Sequence, residues 1–108
     1  MYVANIYQSK EWFEVLQTTK KSQTAVMTLA AGNESSGEPN VHDKSDQILL
    51  LIQGDVEAEV GSEKCLLKEG DVCVVPAGTR HRFKNTGPLP AITFNIYAPP
   101  EYAPDTEG

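Results

Sequence analysis

Short apolar runs broken by turn residues every eight to twelve positions organise this chain. In residues 22–32, Ala25, Met27 and Leu29 recur at period two. In residues 55–60, Val56, Ala58 and Val60 alternate with Asp55, Glu57 and Glu59, as in a strand with one wet face. Further runs cover residues 11–19, 47–53, 64–76, 81–87 and 90–100, and the run from Leu49 to Ile52 reads as core. Gly54-Asp55 and Glu69-Gly70 read as hairpin turns, and Lys20-Lys21 as a solvated turn. No segment carries apolar residues at three-and-four spacing over ten positions; the first ten residues leave room for one short turn. Short strands with even turn spacing predict an all-β domain, a sandwich or a barrel.

Two stretches could carry chemistry. In residues 70–85, Pro76 cannot donate to a ladder and ends one strand, and Gly78 lets the chain reverse. The next strand opens at His81, and period two places His81, Phe83 and Asn85 on one inward face, with Arg82 and Lys84 outward. In residues 39–54, Asn40 and His42 share a face, a polar turn follows, and Gln47 leads Leu49 and Leu51 on the inward side. Asn40, His42, Gln47 and His81 can thus converge at one end of a barrel.

Composition narrows the picture further. The chain has 108 residues, enough for one domain with a thin core. A net charge of −6 argues against nucleic acid and against anionic membranes as partners. No apolar run reaches spanning length and the N-terminus lacks a signal-peptide core, so a cytoplasmic protein is expected. Cys65 and Cys73 flank residues 68–71 symmetrically and read as two small buried hydrophobes.

The stretch from Gly70 to Asn85 fits G-x5-P-x-G-x2-H-x3-N at every fixed position, and in this it resembles the second motif of the cupin superfamily. The first motif, ending H-x-H-x(3,4)-E-x6-G, is met in part. His42 and Gly54 match, whereas Asn40 stands for the first histidine and Gln47 for the glutamate. The resemblance spans residues 22–100 and implies a single-domain double-stranded β-helix, or jelly-roll, barrel. It implies a divalent transition metal (iron, manganese, nickel, zinc or copper) held by His42, His81, Gln47 and Asn40. Imidazole suits such ions, but the two neutral amides offset none of the ion's charge, so binding weaker than in full-motif cupins is expected.

Structural readings stand beside these. Gln47 could bond backbone at a strand start, Asn40 suits turn geometry, and Asn85 would cap the turn at residues 85–87. Tyr97 and Phe94 suit a pocket or a dimer interface. Glu38 and Asp46 are the carboxylates near the motif, and no catalytic residue is assigned. Two functions compete: a metal-dependent oxygenase or isomerase acting on a small polar metabolite, and a barrel that binds a small molecule without turnover. Residues 1–21 are expected to be an extended segment serving a homodimer, 22–100 the barrel, and 101–108 a polar tail.

Overall fold

The computed structural model describes residues 1–36 and 40–104. Eight strands follow a single 3-10 turn at Ile6–Gln8: β1 Phe13–Thr18, β2 Gln23–Leu29, β3 Asp46–Gln53, β4 Val56–Val60, β5 Glu63–Leu67, β6 Val72–Val75, β7 His81–Asn85 and β8 Ala91–Ala98. They form two antiparallel sheets, ordered β1-β2-β8-β3-β6 and β5-β4-β7. The arrangement is an all-β double-stranded β-helix, as expected.

Two of the turns behave differently from the sequence reading. Gly54-Asp55 and Glu69-Gly70 do not close hairpins, because β3 and β4, like β5 and β6, lie in different sheets. They are corners that carry the chain across the barrel. Gly54 has φ +97, and a Cβ there would stand 3.0 Å from Ala91 Cα, so the corner demands glycine. At the second corner the Gly70 N–H donates to Leu51 C=O, and the Leu51 N–H to Asp71 C=O, pinning the crossing against β3. Turn chemistry is local, and which sheet the next strand joins is decided by long-range burial.

The period-two rows face inward as predicted. Leu29, Leu49, Leu51, Val56, Ala58 and Phe83 are among the buried core, packed between the sheets. Leu50 and Ile52 point to the other side and are half-buried. Asn85 does cap its turn: its side-chain amide donates to the carbonyls of Leu29 and Leu89, and its oxygen accepts from the Gly87 N–H at 2.8 Å.

The cysteines depart from expectation. Cys65 is exposed and Cys73 half-buried, because both stand on the edge strands of their sheets, β5 and β6. Burial, with Cys65 as a nearby second thiol, pushes the Cys73 thiol up from its ordinary value.

The outer faces of the two sheets differ. On the three-stranded sheet Arg82 lies 3.3 Å from Glu59 and Lys84 lies 4.0 Å from Glu34. On the five-stranded sheet the register brings Ile48 beside Val74 and Ile96, and Leu50 beside Val72 and Phe94, an apolar patch without a charge. β1 pairs with β2 of its own chain, and the residues preceding it, Tyr2 to Gln8, lie against Glu14–Leu16.

Candidate metal centre

One end of the barrel interior is polar. Across the five-stranded sheet the register sets Gln23, Tyr97, Gln47 and Val75 side by side, all facing inward and buried. From the opposite sheet comes His81, the first residue of β7. His42 is carried by the loop before β3 and is 4% exposed, as is His81. The turn that the sequence singles out joins the two: the Gly78 N–H donates to His42 C=O at 2.7 Å, and Gly78 has φ +79. The backbones of Asn40 and His81 exchange a pair of hydrogen bonds, at 2.7 and 2.8 Å. The rings of His42 and His81 then stand 4.7 Å apart, centroid to centroid. With Gln47, Asn40, Tyr97 and Tyr102 they line a cavity of about 200 Å³.

Hydrogen bonds fix which atoms face this cavity. Thr93 Oγ1 lies 2.9 Å from Met27 C=O, and a carbonyl only accepts, so the hydroxyl donates there. Its lone pair accepts from Asn95 Nδ2, and Asn95 Oδ1 in turn accepts from Gln47 Nε2, each at 2.9 Å. The chain of donors runs one way, and it leaves Gln47 Oε1 as a buried acceptor with no partner. The same logic orients the imidazoles. His81 Nδ1 is 3.0 Å from Thr79 C=O and must donate, so Nε2 of the neutral ring carries a lone pair. His42 Nδ1 lies 3.3 Å from Glu101 Oε2, which likewise leaves its Nε2 as the acceptor. Burial lowers the His81 pKa from its ordinary value, with the bond to Thr79 opposing, so the neutral ring is favoured.

Three of the four expected donors therefore point their lone pairs at one cavity. Asn40 also lines it, but its side chain is exposed and its oxygen accepts from the Val41 N–H at 3.1 Å, which is the turn reading. Among the described residues, no three His, Cys, Asp or Glu side chains are grouped to hold a metal ion. The candidate set is two imidazoles and one carboxamide. Of the carboxylates near the motif, Asp46 accepts from the Ala77 N–H and is spent outside the cavity, and Glu38 lies outside the described residues.

Sequence reasoning missed Glu101 and Tyr102. Both are held by Gln23, whose side-chain oxygen accepts their two N–H groups while its amide donates to Tyr102 C=O. The segment thus returns to the barrel end, and Tyr102 packs edge-on against Tyr97 at 5.1 Å. The two phenols share a hydrogen bond, and burial, above all other causes, raises both pKa values, so they stay protonated. A buried glutamine opening β2 was the one available signal, since it needs partners that no neighbour in sequence supplies.

Comparison with known proteins agrees with this geometry. Residues 25–97 match the family described as Cupin domain, and the chain belongs to that family. The uncharacterized protein YrkC of Bacillus subtilis (strain 168) is 34% identical over 101 residues, covering 88% of this chain and 53% of that protein. The chain thus spans about half the length of the curated relatives it matches. The crystal structure of BH2720 from Bacillus halodurans superposes with a TM-score of 0.88 at 24% identity, over 97% of this chain and 86% of that one. That of a predicted oxalate decarboxylase from Thermotoga maritima gives 0.73 at 20% identity, over 82% and 79%.

Proposed function

We propose that the barrel end formed by His42, His81 and Gln47 holds a divalent transition metal and acts on a small polar metabolite there. The unpartnered Gln47 Oε1 carries this reading. A buried acceptor without a donor costs about 1–3 kcal/mol, and here the whole hydrogen-bond chain from Met27 is arranged so that it stays free. Two imidazole lone pairs beside it complete a set that accepts and never donates, which suits a cation of intermediate softness. Asn40 is the fourth donor in this proposal, available once its oxygen leaves the Val41 N–H. Among iron, manganese, nickel, zinc and copper the set makes no selection.

Glu101 modifies the charge argument. It does not stand among the donors, but its hydrogen bond to His42 places a carboxylate behind that ring. A carboxylate in that position raises the basicity of the imidazole and offsets part of the ion's charge. When bound, the metal supplies Lewis acidity and open positions for an oxygen-bearing substrate. The chain's own part is to hold the ring tautomers through Thr79 and Glu101. It also keeps the phenols of Tyr97 and Tyr102 as hydrogen-bond donors at the cavity wall. The Thermotoga maritima barrel, a predicted oxalate decarboxylase, supports a metabolite of this kind.

Metal analysis by mass spectrometry, on protein purified without chelator or histidine tag, tests the proposal. Near-stoichiometric transition metal that is lost in a His42→Ala/His81→Ala double variant is the expected result. Folded protein that stays metal-free after incubation with iron, manganese, nickel, zinc and copper overturns it. The same three acceptors would then serve a donor-rich organic ligand in a barrel without turnover.

We also propose that two copies pair through the uncharged outer face of the five-stranded sheet. On a chain of net charge −6, copies repel except where the contact is free of charge. Over β3, β6 and β8 the face measures about 400 Å² by strand spacing and rise. The exposed Tyr2, Val3 and Tyr7 beside β1 extend it toward the roughly 800 Å² per partner of a stable dimer. Sedimentation of the wild type at twice the chain mass, and of Ile48→Glu/Val74→Glu at the chain mass, is expected. A wild type at the chain mass removes the idea.

A further inference from the structure

The inner cavity is not isolated. A second, open groove of about 560 Å³ lies outside it, and Trp12 and Ser35 line both. These two residues form the neck between the spaces. Ser35 is fastened to β7 by two bonds, one from its N–H to Phe83 C=O and one from the Phe83 N–H to its hydroxyl. Trp12, on the other side, is 56% exposed although it precedes a strand and is held by the bond of its carbonyl to the Thr28 N–H. Aromatic contacts continue inward from it: Trp12 to Phe13 at 5.9 Å, Phe13 to Tyr102 at 4.9 Å, and Tyr102 to His42 at 6.0 Å. A wall of rings thus leads from the surface to the acceptor cluster.

Volume and chemistry divide between the two spaces. The inner cavity is smaller than the roughly 300 Å³ at which ligand pockets usually begin, and the outer groove is within that class. The inner lining presents lone pairs, which demand donors. The groove is lined by Lys10 against Glu11 and Glu34, opposite charges that leave no net preference for an ionic group. An exposed indole beside such a neck offers a flat face for stacking.

Resting on the inner site proposed above, we infer that the ligand is elongated. Its head carries hydroxyl or amino donors and enters the inner cavity, and its body is a flat, uncharged, unsaturated ring system that passes the neck and lies on Trp12.

A matched pair of probes tests this. Catechol carries the donor head alone; 2,3-dihydroxynaphthalene carries the same head with a longer flat body. Affinities are measured by calorimetry on the protein as purified. The expected result is that the naphthalene diol binds about tenfold more tightly than catechol, the size of one good stacking contact. Because Trp12 is the only tryptophan of the chain, its fluorescence should also be quenched by the diol. In Trp12→Ala the ratio of the two affinities should fall toward one, and in Trp12→Phe it should be intermediate; circular dichroism checks that both variants fold. A wild-type ratio near one, a ratio retained in Trp12→Ala, or no binding of either probe overturns the inference. A cobalt(II) titration of the same protein, followed by visible absorption, decides the metal site separately, so either reading can fail without the other.

Discussion

The two ends of the barrel interior are built from the same strands and spend them differently. On β3 the inward row runs Gln47, Leu49, Leu51, and on β7 it runs His81, Phe83, Asn85. Toward one end the rows meet as Leu51, Val56, Phe83 and Ala91, a dry core. Toward the other they meet as Gln23, Gln47, His81 and Tyr97, every one of them buried. Apolar burial stabilises the first end with no geometry to satisfy beyond close packing. The second end is held by directed hydrogen bonds, and one of its acceptors is left without a partner. The barrel's stability is therefore concentrated at one end, and its binding capacity at the other.

The difference can be broken most severely at Gln47. In Gln47→Glu a carboxylate replaces an amide that donates to Asn95, so the metal-free protein buries an unpaired charge and should lose about 3–5 kcal/mol. The same change supplies an anionic donor, so metal affinity should rise on the order of tenfold, about 1.4 kcal/mol. Denaturant melts with and without chelator read both effects, and a loss of stability without a gain in metal affinity would count against the centre. Leu51→Ala acts on the dry end. It should cost about 2–5 kcal/mol in the same melts and leave metal affinity as it was.

Smaller effects sharpen the comparison. Glu101→Gln removes the carboxylate behind His42 and should weaken metal binding about 10- to 100-fold by competition titration, with little change in the melting of chelated protein. The pH dependence follows from His81. Its folded pKa is lowered by burial, so the folded state resists its protonation and the unfolded chain does not. The stability present above the unfolded value of about 6.5 should be lost as pH falls through the lower folded value. Melting midpoints of chelated protein should fall accordingly in acid, and a His81→Gln variant should show less of that slope.

How much of this was legible in advance depends on distance along the chain. Strand positions, inward rows and the turn at Pro76 and Gly78 follow from period two and from two residues with restricted or permissive backbones, which are local properties. His42, His81 and Gln47 were legible as one group because each opens or precedes a strand on its inward face, and all three line one cavity. The corners at Gly54 and Gly70 were misread as hairpins, because a glycine turn looks the same whether the next strand pairs back or crosses to the other sheet.

By itself, then, the sequence determined an all-β chain with its apolar rows, its barrel motif and its two imidazoles in place. Only the tertiary structure decided which lone pairs face the cavity. That choice depends on Thr93 and Asn95 behind Gln47, on Thr79 behind His81, and on Glu101, which is joined to His42 across 59 positions of the chain. Such bonds form between strands paired at long range, and no periodicity along the chain records them.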